Sequence, residues 1–247
     1  MICYKIGSHP SLYPRIVNLF NSRTPVSTSK VFYRRNLPHW HPPGATFFLT
    51  WRLQGTLPES TRKHLEHQKK RLRKKLKNTD LNRRERSVRV EKKMFEQIDQ
   101  TLHNTREQVD WLARDRIAET VIQSLFHHHR NLYDLHEFVV LPNHVHLLLR
   151  PLPKPEDAES EEEFYALERI NQSLKGYTAR ESNTLLDRTG HSFWQNESYD
   201  HWVRDQEEYD NIVQYIQLDP LRSDLVDRPD EWKWSSTHPL YRKRLNG

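Results

Sequence analysis

The sequence predicts an α+β domain built on an antiparallel sheet. Three observations point there: a β-branched and aromatic run ahead of Gly55, two apolar runs joined around Pro142, and amphipathic stretches of helical period placed between them. Strands and helices mix without the regular alternation of a doubly wound parallel sheet. The chain has 247 residues, room for one domain and an insertion. Mean hydropathy is only −0.95, yet seven Trp, ten Tyr and nine Phe supply large side chains for a core.

In chain order, residues 1–30 read as an N-terminal extension and 31–247 as the domain, interrupted by an insertion over 59–109. Gly44 to Leu53 reads as a strand ended by Gly55 and Pro58. From Thr61 to Val90, thirteen basic residues face three acidic ones, so this stretch carries +10 and the remainder of the +6 chain is net acidic. Leu65, Leu72 and Leu76, then Phe95, Ile98 and Leu102, recur at helical spacing around a break at Asn78-Thr79-Asp80, which predicts a helical hairpin. Such an arm is either a solvated charged face or a contact to a nucleic-acid backbone, or it grips a second subunit.

Ile117, Val121, Ile122 and Leu125 share one helical face. Leu135 to Leu141 and Asn143 to Arg150 then read as adjacent, tightly connected strands. A short acidic stretch leads into a helix carrying Leu167, Ile170, Leu174 and Tyr177. Phe193 to Val203 reads as a further strand, and a helix from about Asp205 to Leu218 is expected to stop at Pro220, because a residue before proline is pushed out of the helical region.

The composition excludes several classes. Cys3 is the sole cysteine, so an intramolecular disulfide and any zinc site needing two thiolates are ruled out, and an intracellular address is expected. No window approaches the roughly 20 apolar residues of a membrane span, and Lys5, His9 and Pro10 interrupt any signal-peptide core; no membrane partner is expected. A pI near 9.3 favours a polyanionic partner. No G-x-x-x-x-G-K-[ST] loop occurs, so no nucleotide cofactor is expected.

Two constellations could carry chemistry. In a strand, His144 and His146 point to one face while Val145 points to the other, so both imidazoles can converge on a divalent ion. The His-x-His pattern alone is cheap, and His39-Trp40-His41 and His127-His128-His129 repeat it in less favourable contexts. Tyr215 and Asp219 are i and i+4 on the last predicted helix. Tyr209, Ile212, Val213 and Ile216 form its apolar face, with Tyr215 about 110° from the centre of that cluster. Tyr209 is therefore expected in the core and Tyr215 outside it, with the Asp219 carboxylate at the helix terminus free to reach outward. A phenol attacks phosphorus poorly unless the phosphate is polarised, which a metal ion beside it would provide.

Leu141-Pro-Asn-His-Val-His-Leu-Leu-Leu-Arg-Pro151 resembles the histidine-hydrophobic-histidine (HUH) motif of single-tyrosine transposases, and Tyr215-Ile-Gln-Leu-Asp-Pro-Leu-Arg222 resembles their tyrosine helix. Segments 35–40, 45–53, 193–200 and 231–236 match in the expected order, and the set is most similar to the REP-associated tyrosine transposases. The resemblance implies a ferredoxin-like fold and a prokaryotic, cytoplasmic, nucleoid-associated protein. It implies cleavage and rejoining of single-stranded or hairpin DNA, with Tyr215 as nucleophile giving a 5′-phosphotyrosine, and Mg²⁺ or Mn²⁺ held by His144 and His146. The family's third ligand is Gln or Asn four residues after the tyrosine; here Asp219 stands there, keeping an oxygen ligand and adding charge. Arg34, Arg35, Arg52, Arg150 and Lys175 lie beside the matching segments as candidate DNA contacts, and Trp194 is a candidate either for stacking on an unpaired base or for the core. The active site is assembled within one chain or across a homodimer. Two rivals remain: a reader of hairpin DNA or RNA that does not cut, and a hydrolytic nuclease using metal-bound water.

Overall fold

A computed structural model describes residues 32–34, 38–40, 42, 44–104, 109–155 and 163–246. Strands β1 (Phe32–Arg34) and β2 (Pro38–Trp40) pair as a short antiparallel ribbon. The main sheet is built from β3 (Phe47–Arg52), β4 (Tyr133–Val140), β5 (His144–Pro151) and β6 (Tyr199–Trp202). Its order is β4-β5-β3-β6 with every neighbouring pair antiparallel. Helix α3 (Asp115–His128) connects β3 to β4 and helix α4 (Leu167–Leu185) connects β5 to β6, which gives the β-α-β-β-α-β sequence and strand order of a ferredoxin-like domain. The predicted α+β antiparallel class is the one observed.

Both faces of the sheet are covered, and strand alternation assigns each side chain to a face. Phe47, Leu49 and Trp51 of β3 and Val145, Leu147 and Leu149 of β5 pack against Ile117, Val121 and Ile122 of α3 and Ile170 and Leu174 of α4. Phe48 and Leu148 point the other way, onto helix α5 (Gln206–Arg222), where Ile212 and Ile216 meet them. A bulge between Leu135 and Glu137 resets the alternation of β4, so that Phe138 and Val140 join Leu135 in the first core while Val139 faces the second.

The inserted segment is a hairpin of α1 (Glu59–Lys77) and α2 (Arg83–Asn104). Its outer half has a small core of its own, in which Leu76, Val90 and Met94 pack with Leu72 and Leu81. The inner half of α2 lays Phe95 against Phe48 on the α5 side of the sheet. The short helix α6 (Pro239–Asn246) adds Tyr241 and Leu245 to the first core. Among the described residues no helix is long and apolar enough to cross a membrane.

Two expected elements differ. The strand expected over Phe193 to Val203 is reduced to Tyr199–Trp202 plus an isolated bridge between Leu53 and Trp194. The polar residues 195–198 form a loop instead, pinned by Lys175, whose Nζ donates to the Gln195 carbonyl at 2.8 Å and the Ser198 hydroxyl at 3.0 Å. Helix α5 does not stop before Pro220 but runs through it to Arg222. A proline this close to a C-terminus costs a single helical hydrogen bond, and pairing resumes at once through Ser223 N–H to Asp219 and Leu225 N–H to Pro220, both at 3.0 Å.

Candidate metal and nucleophile site

Within β5, period-two alternation sends Val145 into the first core and both His144 and His146 to the opposite face, where they are 1 % and 0 % exposed. Each imidazole is held by its Nδ1. His144 Nδ1 lies 2.6 Å from Asn143 Oδ1, while Asn143 Nδ2 donates to the Leu102 carbonyl of α2 at 3.0 Å. The amide is thus oriented with its oxygen toward the ring, so His144 Nδ1 is the donor and Nε2 keeps its lone pair. His146 Nδ1 lies 2.8 Å from Oγ1 of Thr50, its cross-strand partner on β3.

Two further elements converge on the two Nε2 atoms. From α5, Asp219 Oδ2 lies 3.2 Å from His146 Nε2 and 3.7 Å from His144 Nε2. From α2, Asp99 Oδ1 lies 3.4 Å from His146 Nε2, and His103, one turn on, places Nε2 3.2 Å from Asp219 Oδ1. From the end of α5, Arg222 reaches Asp99 Oδ2 at 3.2 Å and Asp219 Oδ1 at 3.3 Å, with its guanidinium 4.4 Å from the centre of the Tyr215 ring. Tyr215 sits edge-on to His146, ring centres 5.4 Å apart, and against Phe48 and Phe95.

Burial and mutual charge set the protonation states. Burial raises the Asp219 carboxyl, but the facing imidazoles of His103, His144 and His146 outweigh it and hold the group well below the usual carboxylate range. Burial pushes His144 down to about 4, so it is neutral at physiological pH, as a metal ligand must be. Burial, then the charges of Asp99 and Asp219, push the Tyr215 phenol well above 10. The phenol therefore stays protonated until something polarises its target.

The site fits a divalent cation. Asp99 Oδ1, both Asp219 oxygens, the Nε2 atoms of His103, His144 and His146, Tyr215 Oη and Arg222 Nη1 are buried without a hydrogen-bond partner. Buried polar atoms rarely go unpaired, and here they face one another. The candidate ligand atoms of His144, His146 and Asp219 lie within 4.8 Å of one another, as do those of Asp99, His103 and His144. Imidazole nitrogen with carboxylate oxygen is a donor set suited to first-row divalent ions.

The structure thus brings together His144, His146, Asp219 and Tyr215, but with two corrections to their setting. Tyr215, expected outside the core, is 7 % exposed, whereas Tyr209 lies at the rim with its hydroxyl 2.8 Å from His136 Nδ1. Asp219, expected to reach outward, is 0 % exposed. Both differences have one cause: α5 is covered by the sheet on one side and by α2 on its flank, so its apolar stripe alone does not measure its burial.

The candidate DNA contacts scatter. Trp194 is 5 % exposed, donates Nε1–H to Thr178 Oγ1 at 2.9 Å and packs on Trp51, so it belongs to the core and presents no stacking face. Lys175 is engaged in pinning the 195–198 loop. Arg150 is exposed at the far end of β5 and pairs with Asp134 at 2.9 Å. Arg52, half-buried with its pKa lowered to about 10 mainly by burial, lines a cavity of about 410 Å³ between the hairpin and the β3–β6 edge. That cavity touches the site through Thr50, Phe95 and Asp99. The Arg34 side chain and all of Arg35 lie outside the described residues.

Sequence reasoning missed Asp99 and His103. Their signal was an acid and a histidine at i and i+4 beside the apolar Phe95, Ile98 and Leu102, on an arm whose charge dominates its pattern. Arg222 lay inside the tyrosine-helix motif but had no assigned part.

No family model matches the chain. A curated Haemophilus influenzae protein described as "Putative REP-associated tyrosine transposase" is 25 % identical over 99 residues, 40 % of this chain and 56 % of the relative, so the chain spans about half the length of that relative. A solved structure of a REP-associated tyrosine transposase bound to a REP hairpin matches at 18 % identity over 86 % of both chains, with a TM-score of 0.45. The curated relative bears out the family resemblance carried by the motifs.

Proposed function

We propose that this chain, which resembles the REP-associated tyrosine transposases, cleaves and rejoins single-stranded or hairpin DNA through a covalent phosphotyrosine. The observation that supports this most is the convergence of Tyr215 with the His144, His146 and Asp219 donors in one buried, unsatisfied cluster. His144, His146 and Asp219 would hold Mg²⁺ or Mn²⁺. When bound, the cation draws charge from a non-bridging phosphate oxygen and makes phosphorus a better target for a phenol.

The chain's own groups do the rest. Tyr215 Oη forms the new bond to phosphorus as the bond from phosphorus to the 3′ oxygen breaks. The phenolic proton leaves Oη, and the departing 3′ oxygen takes up one proton, so the step is balanced and releases a free 3′-hydroxyl. The 5′-phosphotyrosine keeps a phosphodiester's energy, and reversal needs no nucleotide. Arg222, above the Tyr215 ring and between two carboxylates, is placed to receive negative charge building beside Oη. Thr50, Asn143 and the carbonyl of Leu102 fix both imidazoles. The exposed basic residues of α1, among them Lys70, Lys74 and Lys77, offer phosphate contacts to a duplex stem.

The burial of Tyr215 beneath α2 favours a second reading, a hairpin binder that does not cut. A denaturing gel separates the two. Hairpin oligonucleotides with Mn²⁺ should give a protein–DNA adduct that Tyr215→Phe and His144→Ala both abolish. Binding without adduct supports the reader, and cleavage that survives Tyr215→Phe supports a hydrolytic nuclease.

A further inference from the structure

The inserted hairpin does more than cover the site: we propose that Asp99 of α2 is a ligand of the same divalent cation as His144, His146 and Asp219. The inference rests on the metal reading above and adds a donor that the HUH and tyrosine-helix motifs do not contain.

Its first support is the way the Asp99 carboxylate is divided. Oδ2 is taken by Arg222 at 3.2 Å, while Oδ1 has no hydrogen-bond partner and points at His146 Nε2 from 3.4 Å. Asp219 is divided alike, with Oδ1 toward His103 and Arg222 and Oδ2 toward the two β5 histidines. Asp99 Oδ1 and Asp219 Oδ2 thus face the same imidazole nitrogen, that of His146.

The spacing is the second support. Adjacent ligands at about 2.1 Å from one cation stand about 3 Å apart. Asp99 Oδ1 to His146 Nε2 is 3.4 Å and His146 Nε2 to Asp219 Oδ2 is 3.2 Å, so the atoms lie near the separation of neighbours in one coordination sphere.

Burial is the third. Asp99 is 1 % exposed, and a carboxylate taken out of water needs compensating partners for both its oxygens. Phe95 and Ile98, its apolar neighbours on the same helix, line the same cavity, yet the chain places an acid at this position. Imidazole in the donor set favours Mn²⁺ over Mg²⁺.

The test uses the full chain. Calorimetric titration with Mn²⁺ should show Asp99→Asn binding at least about tenfold more weakly than wild type, a loss on the scale felt even for outer-shell partners, with an unchanged circular dichroism spectrum. Asp99→Cys in a Cys3→Ser background, titrated with Cd²⁺, should develop a thiolate-to-cadmium charge-transfer band that Cys3→Ser alone lacks, a readout that stands even if Asp99→Asn folds poorly. Wild-type Mn²⁺ affinity in Asp99→Asn beside loss in His146→Ala, with no cadmium band, overturns the inference and leaves the motif-borne metal site standing. A wild-type chain that binds no Mn²⁺ overturns both.

Discussion

The Thr50 hydroxyl and His146 Nδ1 lie 2.8 Å apart across a paired position of β3 and β5. The sheet register itself therefore fixes an imidazole that stands within 3.4 Å of both carboxylates. Thr50→Val keeps the shape and removes the hydrogen bond. Mn²⁺ affinity, measured by calorimetry, should fall by roughly 10- to 100-fold while the fold is retained.

Metal should also stabilise the protein, because the cluster of unsatisfied donors is assembled only in the folded chain. Mn²⁺ at 100 times its dissociation constant should add about 2.7 kcal/mol and raise the melting temperature, and EDTA should reverse the shift. The shift should vanish in a His144→Ala and His146→Ala double variant. An equal shift in that variant would place the cation elsewhere.

Trp194 tests the boundary between core and DNA surface. Its burial and its hydrogen bond to Thr178 predict that Trp194→Ala costs about 3–5 kcal/mol in denaturant unfolding. Trp194→Phe should bind hairpin DNA as wild type does. A selective loss of DNA affinity in Trp194→Phe, with stability retained, would return the indole to a stacking part.

For the arm, replacing Lys70, Lys74 and Lys77 by Gln removes three exposed charges from one face of α1. Affinity for a hairpin stem should fall, and the slope of log K against log salt should flatten by up to about 0.9 for each phosphate no longer neutralised. Fluorescence anisotropy at several salt concentrations checks both, and an unchanged slope would make this face merely solvated.

Much of this was legible in the residues. Period-two alternation in Asn143 to Arg150 put both histidines on one face, and the mixed element order gave an antiparallel α+β sheet, because each is a local pattern. What was not legible was long-range. Tyr215 looked like a flank residue because its burial depends on a helix more than a hundred residues earlier, and Asp99 looked like one acid on a charged arm because its partners are His146 and Asp219. Pro220 was overruled for a different reason, since the cost of a proline falls where few helical bonds remain to lose.

Helix α2 runs from Arg83 to Asn104 without a glycine or proline. At 1.5 Å per residue, Arg83 and Asp99 stand about 24 Å apart on one uninterrupted rod. The outer part of that rod is held by the hairpin's own leucines and the inner part by the sheet. The basic tip and the carboxylate beside His146 therefore belong to one continuous helix, so the placement of one is tied to that of the other.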